Sequence, residues 1–177
     1  MSRKIPARIG LDSSPWIRHA RGELMRYLEL RFPPTLVWIT FAAAMWVIAS
    51  LPPVWPPSSS VRLTTSVILF VIGIAISQSA IIEFRRAQTT VNPLKPETST
   101  SLVSTGIFAR TRNPMYLGML IGLLAWAVYL ASALAWLGPV AFALYITRFQ
   151  IVPEERAMNS LFGSAFSKYS QNVRRWL

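Results

Sequence analysis

The chain has no cysteine, one histidine (His19) and only seven acidic residues in 177. Without cysteine there is no disulfide, thiolate nucleophile or thiolate metal site. A single histidine excludes a His-rich metal centre and, away from His19, a Ser-His-Asp triad. No metal site is expected. Charge is scarce at 14% of residues, while 53% are hydrophobic and the mean hydropathy is +0.40, too apolar for an ordinary soluble domain. GxGxxG, GxxxxGK and GxSxG patterns are all missing, so any nucleotide-like cofactor binds outside a Rossmann fold.

What is there comes in blocks. Apolar runs occupy residues 35–51 and 61–82, and a third covers residues 114–152. As one helix the third would measure about 58 Å against a hydrocarbon core of about 30 Å, so it is expected to turn back near residues 131–135. The expected fold is an all-α integral membrane protein with four transmembrane helices, at about 35–51, 61–82, 114–131 and 135–152. A basic segment, residues 1–34, precedes this membrane domain at residues 35–177. That segment has no apolar core run and no small-residue cleavage site, so it is not expected to be a signal peptide. Its Trp16, Ile17, Ala20, Leu24, Tyr27, Leu28 and Leu30 recur at roughly helical spacing, which fits an amphipathic helix on the membrane surface or one packed on the protein. A polar loop at residues 83–113 and a cytoplasmic C-terminal helix at residues 153–170 complete the plan.

The net charge of +11 comes from 18 basic residues. The two short loops carry Arg62 alone, and the rest fall in the N-terminal segment, the long loop and the C-terminal end. This asymmetry predicts a multi-pass protein of the cytoplasmic (inner) membrane with both termini and the long loop cytoplasmic. Anionic lipid head groups, not nucleic acid, are the expected partner of so basic a chain.

Polar groups near membrane depth sit in residues 106–116 and 148–156. Asn113 precedes Pro114, an order expected to cap the third helix with proline in its first turn. The free N–H groups of that turn favour an anion. Arg112 and Tyr116 converge if the helix extends back that far, and Gly118 with Gly122 forms a GxxxG expected to admit another helix of the same chain. Pro153 is expected to start the C-terminal helix, with Glu154 and Glu155 complementing its dipole. Interfacial anchoring and helix capping account for these residues as well as a ligand site does. Two adjacent carboxylates beside a membrane, in a chain so poor in acids, nevertheless suggest a cationic or hydroxyl-rich ligand.

The stretch Gly106-Ile-Phe-Ala-Arg-Thr-Arg-Asn-Pro-Met-Tyr-Leu-Gly118, then Pro153-Glu-Glu-Arg156, Phe162-Gly163 and Tyr169, resembles the membrane methyltransferase superfamily. That group includes isoprenylcysteine carboxyl methyltransferases and phospholipid (phosphatidylethanolamine) N-methyltransferases, and the resemblance covers roughly residues 90–177. It implies S-adenosylmethionine as cofactor and S-adenosylhomocysteine as product. The site would lie at the cytoplasmic ends of the last two transmembrane helices, with the loop and the C-terminal helix. By similarity, Gly106, Arg112, Asn113, Pro114, Tyr116, Gly118, Glu154 and Glu155 surround the cofactor, and Arg112 and Glu155 also serve catalysis.

Methyl transfer from a sulfonium needs alignment and exclusion of water, not a metal, thiol or histidine. An amine acceptor needs a base, for which Glu155 and Tyr116 are candidates. A carboxylate acceptor needs none and would be oriented by Arg112. Asn113 stands where isoprenylcysteine enzymes commonly have His, and Asn-Pro-Met-Tyr looks more like the phospholipid enzymes. A phospholipid amine is therefore favoured over an isoprenoid-type carboxylate or a thiol, within a class of lipid-like or small lipophilic substrates. Asn172 lies near where the family often has a basic, substrate-facing residue, and Arg174 and Arg175 follow it. The oligomeric state is open, a monomer being sufficient. Two other readings are an NADPH-dependent membrane reductase of similar fold, with Arg85, Arg86 and Lys95 for the 2′-phosphate, and a non-catalytic membrane interaction subunit.

Overall fold

The computed structural model describes residues 29–51, 59–89 and 98–177. Of the amphipathic helix expected over Trp16 to Leu30, all but its last two residues lie outside the described residues, and Leu30 is not helical but in a turn at φ +55°. The architecture is all-helical: α1 (Pro34–Ala49), α2 (Ser59–Arg86), α3 (Pro114–Leu130), α4 (Leu137–Ile146), α5 (Val152–Phe162) and α6 (Ser164–Asn172). Single 3₁₀ turns cover Gly106–Ala109 and Ala133–Trp136, and a wider π turn covers Thr147–Ile151. α1 and α3 both open on a proline in the first turn, where a missing N–H breaks no bond.

Two stretches are long and apolar enough to cross a membrane, Ser59–Arg86 and the continuous helical run Ala133–Phe162. α1 and α3 are apolar but shorter, at 16 and 17 residues, or about 24 and 26 Å. The exterior of α1 and α2 is itself apolar, with Ile39, Trp46, Val67, Phe70 and Val71 exposed. Soluble proteins rarely carry so continuous an apolar surface.

α3 is the centre of the bundle, in contact with α1, α2 and α4. Its closest neighbour is α2, and small residues are the reason. A Cβ on Gly73 would lie 2.7 Å from Gly118 O, and one on Gly118 would collide with Ser77 Oγ and Gly73 O. The GxxxG of α3 thus meets a matching Gly73-xxx-Ser77 on α2, inside the chain. On the other side of α3, Met45, Leu123, Ala127, Phe142 and Ile146 are buried together, and Phe41 meets Phe142 edge-on at 5.7 Å.

Two sequence expectations change. Pro153 does not start a helix, because α4 runs through the π turn into α5. A proline crowds the carbonyl four residues back and cannot bond to it, and a widened turn relieves that clash. The released carbonyl is Phe149 O, which accepts the Leu30 N–H at 3.0 Å. The helix expected at residues 153–170 is also two helices, divided at Gly163 with φ +50° and ψ −120°. α2 meanwhile runs on to Arg86, with Arg85 and Arg86 in its last turn, where they complement the dipole. Between α3 and α4 the chain turns through Ala131 in the left-handed region, within the expected interval.

Candidate functional site

The site forms where α2 ends, α3 begins and α5 and α6 pass. Residues 98–113 fold back over the end of α2, and Gly106 makes that possible. It sits at φ +57°, which favours glycine, and a Cβ there would lie 2.6 Å from the Glu83 carboxyl carbon and displace that side chain. Glu83 accepts from Thr105 Oγ1 at 2.9 Å and pairs with Arg86 at 3.0 Å. Phe84 and Phe108 meet edge-on at 5.0 Å, over buried Ala80 and Val103. From α6 the Tyr169 hydroxyl donates to Phe108 O at 2.7 Å. Burial pushes its pKa up to about 12, against the opposing pull of Arg112, so it remains a donor at neutral pH.

The charged centre lies beside this loop. Glu155 is gripped by two guanidiniums: Arg112 Nη2 reaches Oε1 at 3.1 Å, while Arg175 places Nε on Oε1 at 3.1 Å and Nη2 on Oε2 at 2.7 Å. The fork-to-carboxylate geometry is among the stronger pairings available to a side chain. It raises the Arg175 pKa above its ordinary value, burial acting the other way. Next to it the Tyr116 hydroxyl donates to Glu154 Oε1. Arg112 lies before α3, so Arg112 and Tyr116 do not share a helical turn; they converge instead on adjacent glutamates of α5.

Asn113 does not cap α3 with its side chain. Its amide donates to Arg175 O at 2.9 Å, the Thr111 hydroxyl donates to the same carbonyl at 3.3 Å, and the Arg112 N–H donates to Arg174 O at 3.0 Å. The tail after α6 is therefore pinned along residues 111–113. This backbone contact aims the Arg175 side chain at Glu155.

Arg112, Asn113, Glu154 and Glu155 line one partly enclosed cavity, whose apolar walls include Phe84, Leu102, Phe108, Met158 and Phe166. Arg112 Nε is buried without an acceptor among the described residues. Of the other residues singled out in the sequence, Tyr116 joins the site through Glu154, and buried Pro114 starts the helix that carries it. Gly106 packs on Glu83, and Gly118 is spent on the α2–α3 contact. Asn172 is exposed and donates to Lys168 O. Arg86 is held by Glu83, and Lys95 lies outside the described residues.

The sequence does not single out Thr111 or Glu83, and it marks Arg175 only as a basic residue following Asn172. The scarcity of acids was the available signal. All four glutamates among the described residues, Glu29, Glu83, Glu154 and Glu155, are engaged by arginine or by a tyrosine or threonine hydroxyl. Glu29 is bound by Arg148 at 2.6 Å and by Arg156, so the arginine of Pro153-Glu-Glu-Arg156 faces the segment before α1 and not the cavity. Burial raises the Glu29 pKa, but the two guanidiniums more than offset it and hold it below the usual carboxylate range.

Residues 61–165, from α2 to the start of α6, match the family model described as phospholipid methyltransferase. An uncharacterized protein of Haemophilus influenzae is 51% identical over 63 residues, which is 36% of this chain and all of that protein. Protein-S-isoprenylcysteine O-methyltransferases A and B of Arabidopsis thaliana are 32% and 29% identical over 60% and 59% of this chain. The chain spans 54% and 53% of the length of those two plant proteins. No solved structure matches it significantly.

Proposed function

Because the chain belongs to the phospholipid methyltransferase family, we propose that it transfers a methyl group from S-adenosylmethionine to a lipid-like or small lipophilic acceptor at the cavity between the loop and α2, α5 and α6. The observation that carries this reading is the Arg112–Glu155–Arg175 network beside the Tyr116–Glu154 pair. The donor set fits the cofactor. Arg112 Nε is a buried donor without an acceptor among the described residues, suited to a carboxylate. Aromatic and thioether side chains wall the cavity for the adenine.

When bound, the cofactor supplies an electrophilic methyl group. The chain's part is positioning and dehydration: Glu155 fixes both arginines, the pinned tail and α6 close the cavity, and Phe84, Phe108 and Phe166 keep water out. An amine acceptor must lose a proton. Both oxygens of Glu155 are taken by guanidiniums, so Glu154, oriented by the Tyr116 hydroxyl, is the better-placed base. The phospholipid amine remains the favoured acceptor, on the description of the matched family. Asn113 no longer argues for it, since its amide serves the Arg175 carbonyl.

In this reading α1 to α4 all cross a cytoplasmic membrane. Arg62 is the one charged residue between positions 32 and 82, and residues 113–147 carry none, so charge gathers at the cavity end, as the cytoplasmic side requires. The test is incubation of the purified protein with labelled donor and either phosphatidylethanolamine or a prenylated cysteine. Base-stable label on the phospholipid supports the amine. Base-labile label on the cysteine lipid moves the assignment to a carboxylate, and no label on either, by protein that melts cooperatively, refutes the activity.

A further inference from the structure

At the other end of the bundle, α1 and α2 both pack on α3 and leave an apolar groove between them. Trp38 of α1, Leu63, Val67 and Phe70 of α2, and Gly122 and Trp126 of α3 line it. Its walls are fixed, not adaptable. The Trp38 indole N–H donates to Met119 O at 2.8 Å, and the Trp126 indole N–H donates to Ala42 O at 3.0 Å, so both rings are held across helix boundaries. Gly122 lets the Trp38 ring lie close against α3, since a Cβ there would stand 3.3 Å from it. The groove offers no polar group, because the Ser66 hydroxyl is spent on Arg62 O at 2.8 Å. Water gains nothing in such a space, whereas a hydrocarbon chain does.

The mouth differs from the walls. Arg62 lies over the Tyr129 ring at 5.8 Å, and its Nε is buried without an acceptor among the described residues. Tyr129 stacks on Trp126 at 5.3 Å, so the cation and the groove share one aromatic wall. From Tyr129 down to Gly122 is seven residues of α3, about 10 Å. From Tyr129 to Asn113, at the cavity, is about 24 Å along the same helix. A guanidinium at the top of an apolar slot, in a region otherwise free of charge, complements one chemistry: an anionic phosphate joined to a hydrocarbon chain.

The geometry points to a bound phospholipid in the leaflet opposite the cavity, with one acyl chain in the α1–α2 groove and its phosphate on Arg62. This lipid is held as a structural partner, filling the gap between two helices that meet chiefly through α3. The inference rests on the helices lying in a membrane and is independent of methyl transfer.

The test uses the full chain, delipidated in detergent and titrated with dioleoyl phosphatidylglycerol, with native mass spectrometry as the readout. Wild type is compared with Arg62→Gln, with Val67→Trp, which fills the groove from a lipid-facing position, and with Ile72→Trp, equally exposed but outside it. The expected result is a single retained lipid whose affinity falls about tenfold in Arg62→Gln and in Val67→Trp, but not in Ile72→Trp. Arg62→Lys, which keeps the charge, retains the lipid and gives a reading that needs no groove variant. The inference is overturned by equal retention in all variants, or by loss in Val67→Trp alone. A wild-type dimer that dissociates in Val67→Trp and carries no lipid overturns it too, by making a second copy the occupant.

Discussion

Where α2 ends and α3 begins, Glu83, Arg112, Glu154, Glu155, Tyr169 and Arg175 tie a loop, four helices and the tail together. Beyond that end, along the same helices as far as Tyr129, the contacts are glycine on backbone, indole on carbonyl and ring on ring, and Arg62 is the one charge there among the described residues. Apolar helices in lipid gain little from hydrophobic burial, so they associate through shape and through polar groups satisfied inside the protein. A network of charges is sustainable only where water or a polar ligand can meet it. The polar end is therefore the end suited to chemistry, and the apolar length of the bundle holds the helices together.

The largest effect should come from breaking the apolar packing at its tightest point. Gly118→Ala drives a methyl group into Ser77 and the Gly73 carbonyl and should cost about 3 kcal/mol, read as a large fall in melting temperature in detergent. Gly163→Ala meets nothing within 4 Å. It should cost about 1–2 kcal/mol through backbone strain alone, which separates crowding from conformation.

At the polar end, Arg175→Ala frees one side of Glu155 and unpins its neighbour Arg112. Charge-assisted hydrogen bonds of about 1.5–3 kcal/mol imply a loss of roughly tenfold to a hundredfold in affinity for S-adenosylhomocysteine. Asn172→Ala, on the exposed face of α6, should leave that affinity unchanged, and calorimetric titration of both checks the contrast. A smaller effect is expected of Tyr116→Phe. Losing one hydroxyl on Glu154 should lower kcat by roughly tenfold with an amine acceptor, while cofactor binding is kept.

The smallest effect concerns Glu29. Its pKa is lower folded than unfolded, so its stabilisation is complete above the ordinary carboxylate value and fades as pH falls through the folded one. Arg148 and Arg156 are about half exposed, at 41% and 55%, which keeps the contribution within about 1 kcal/mol. Glu29→Gln should therefore lower the melting temperature slightly near neutrality and converge with wild type in acid, as melts across that pH range would report.

Much of the scaffold was legible because apolar runs and prolines have direct consequences. The turn near Ala131, the proline at the start of α3 and the packing of Gly118 within the chain all follow from residue type and spacing. What escaped was non-local. Pro153 reads as a helix start, yet a π turn carries the helix past it because Leu30 takes the carbonyl that proline leaves free. Asn113 reads as a cap, yet a tail some sixty residues away claims its amide. Arg112 and the glutamates stand out in the sequence as chemistry-bearing residues and Arg175 as a basic residue after Asn172, but only the fold brings that tail arginine onto Glu155. Gly106 and Gly118 were read into the site from motif position. Each lies against α2, where it lets the site form without lining it.

The most direct test of the central claim is calorimetric titration of S-adenosylhomocysteine into the purified protein, beside Glu155→Ala and Arg112→Ala variants shown to melt cooperatively. Saturable binding by wild type that weakens at least tenfold in both variants is the expected result. Absence of binding by folded wild type, or equal binding by all three proteins, would contradict the account.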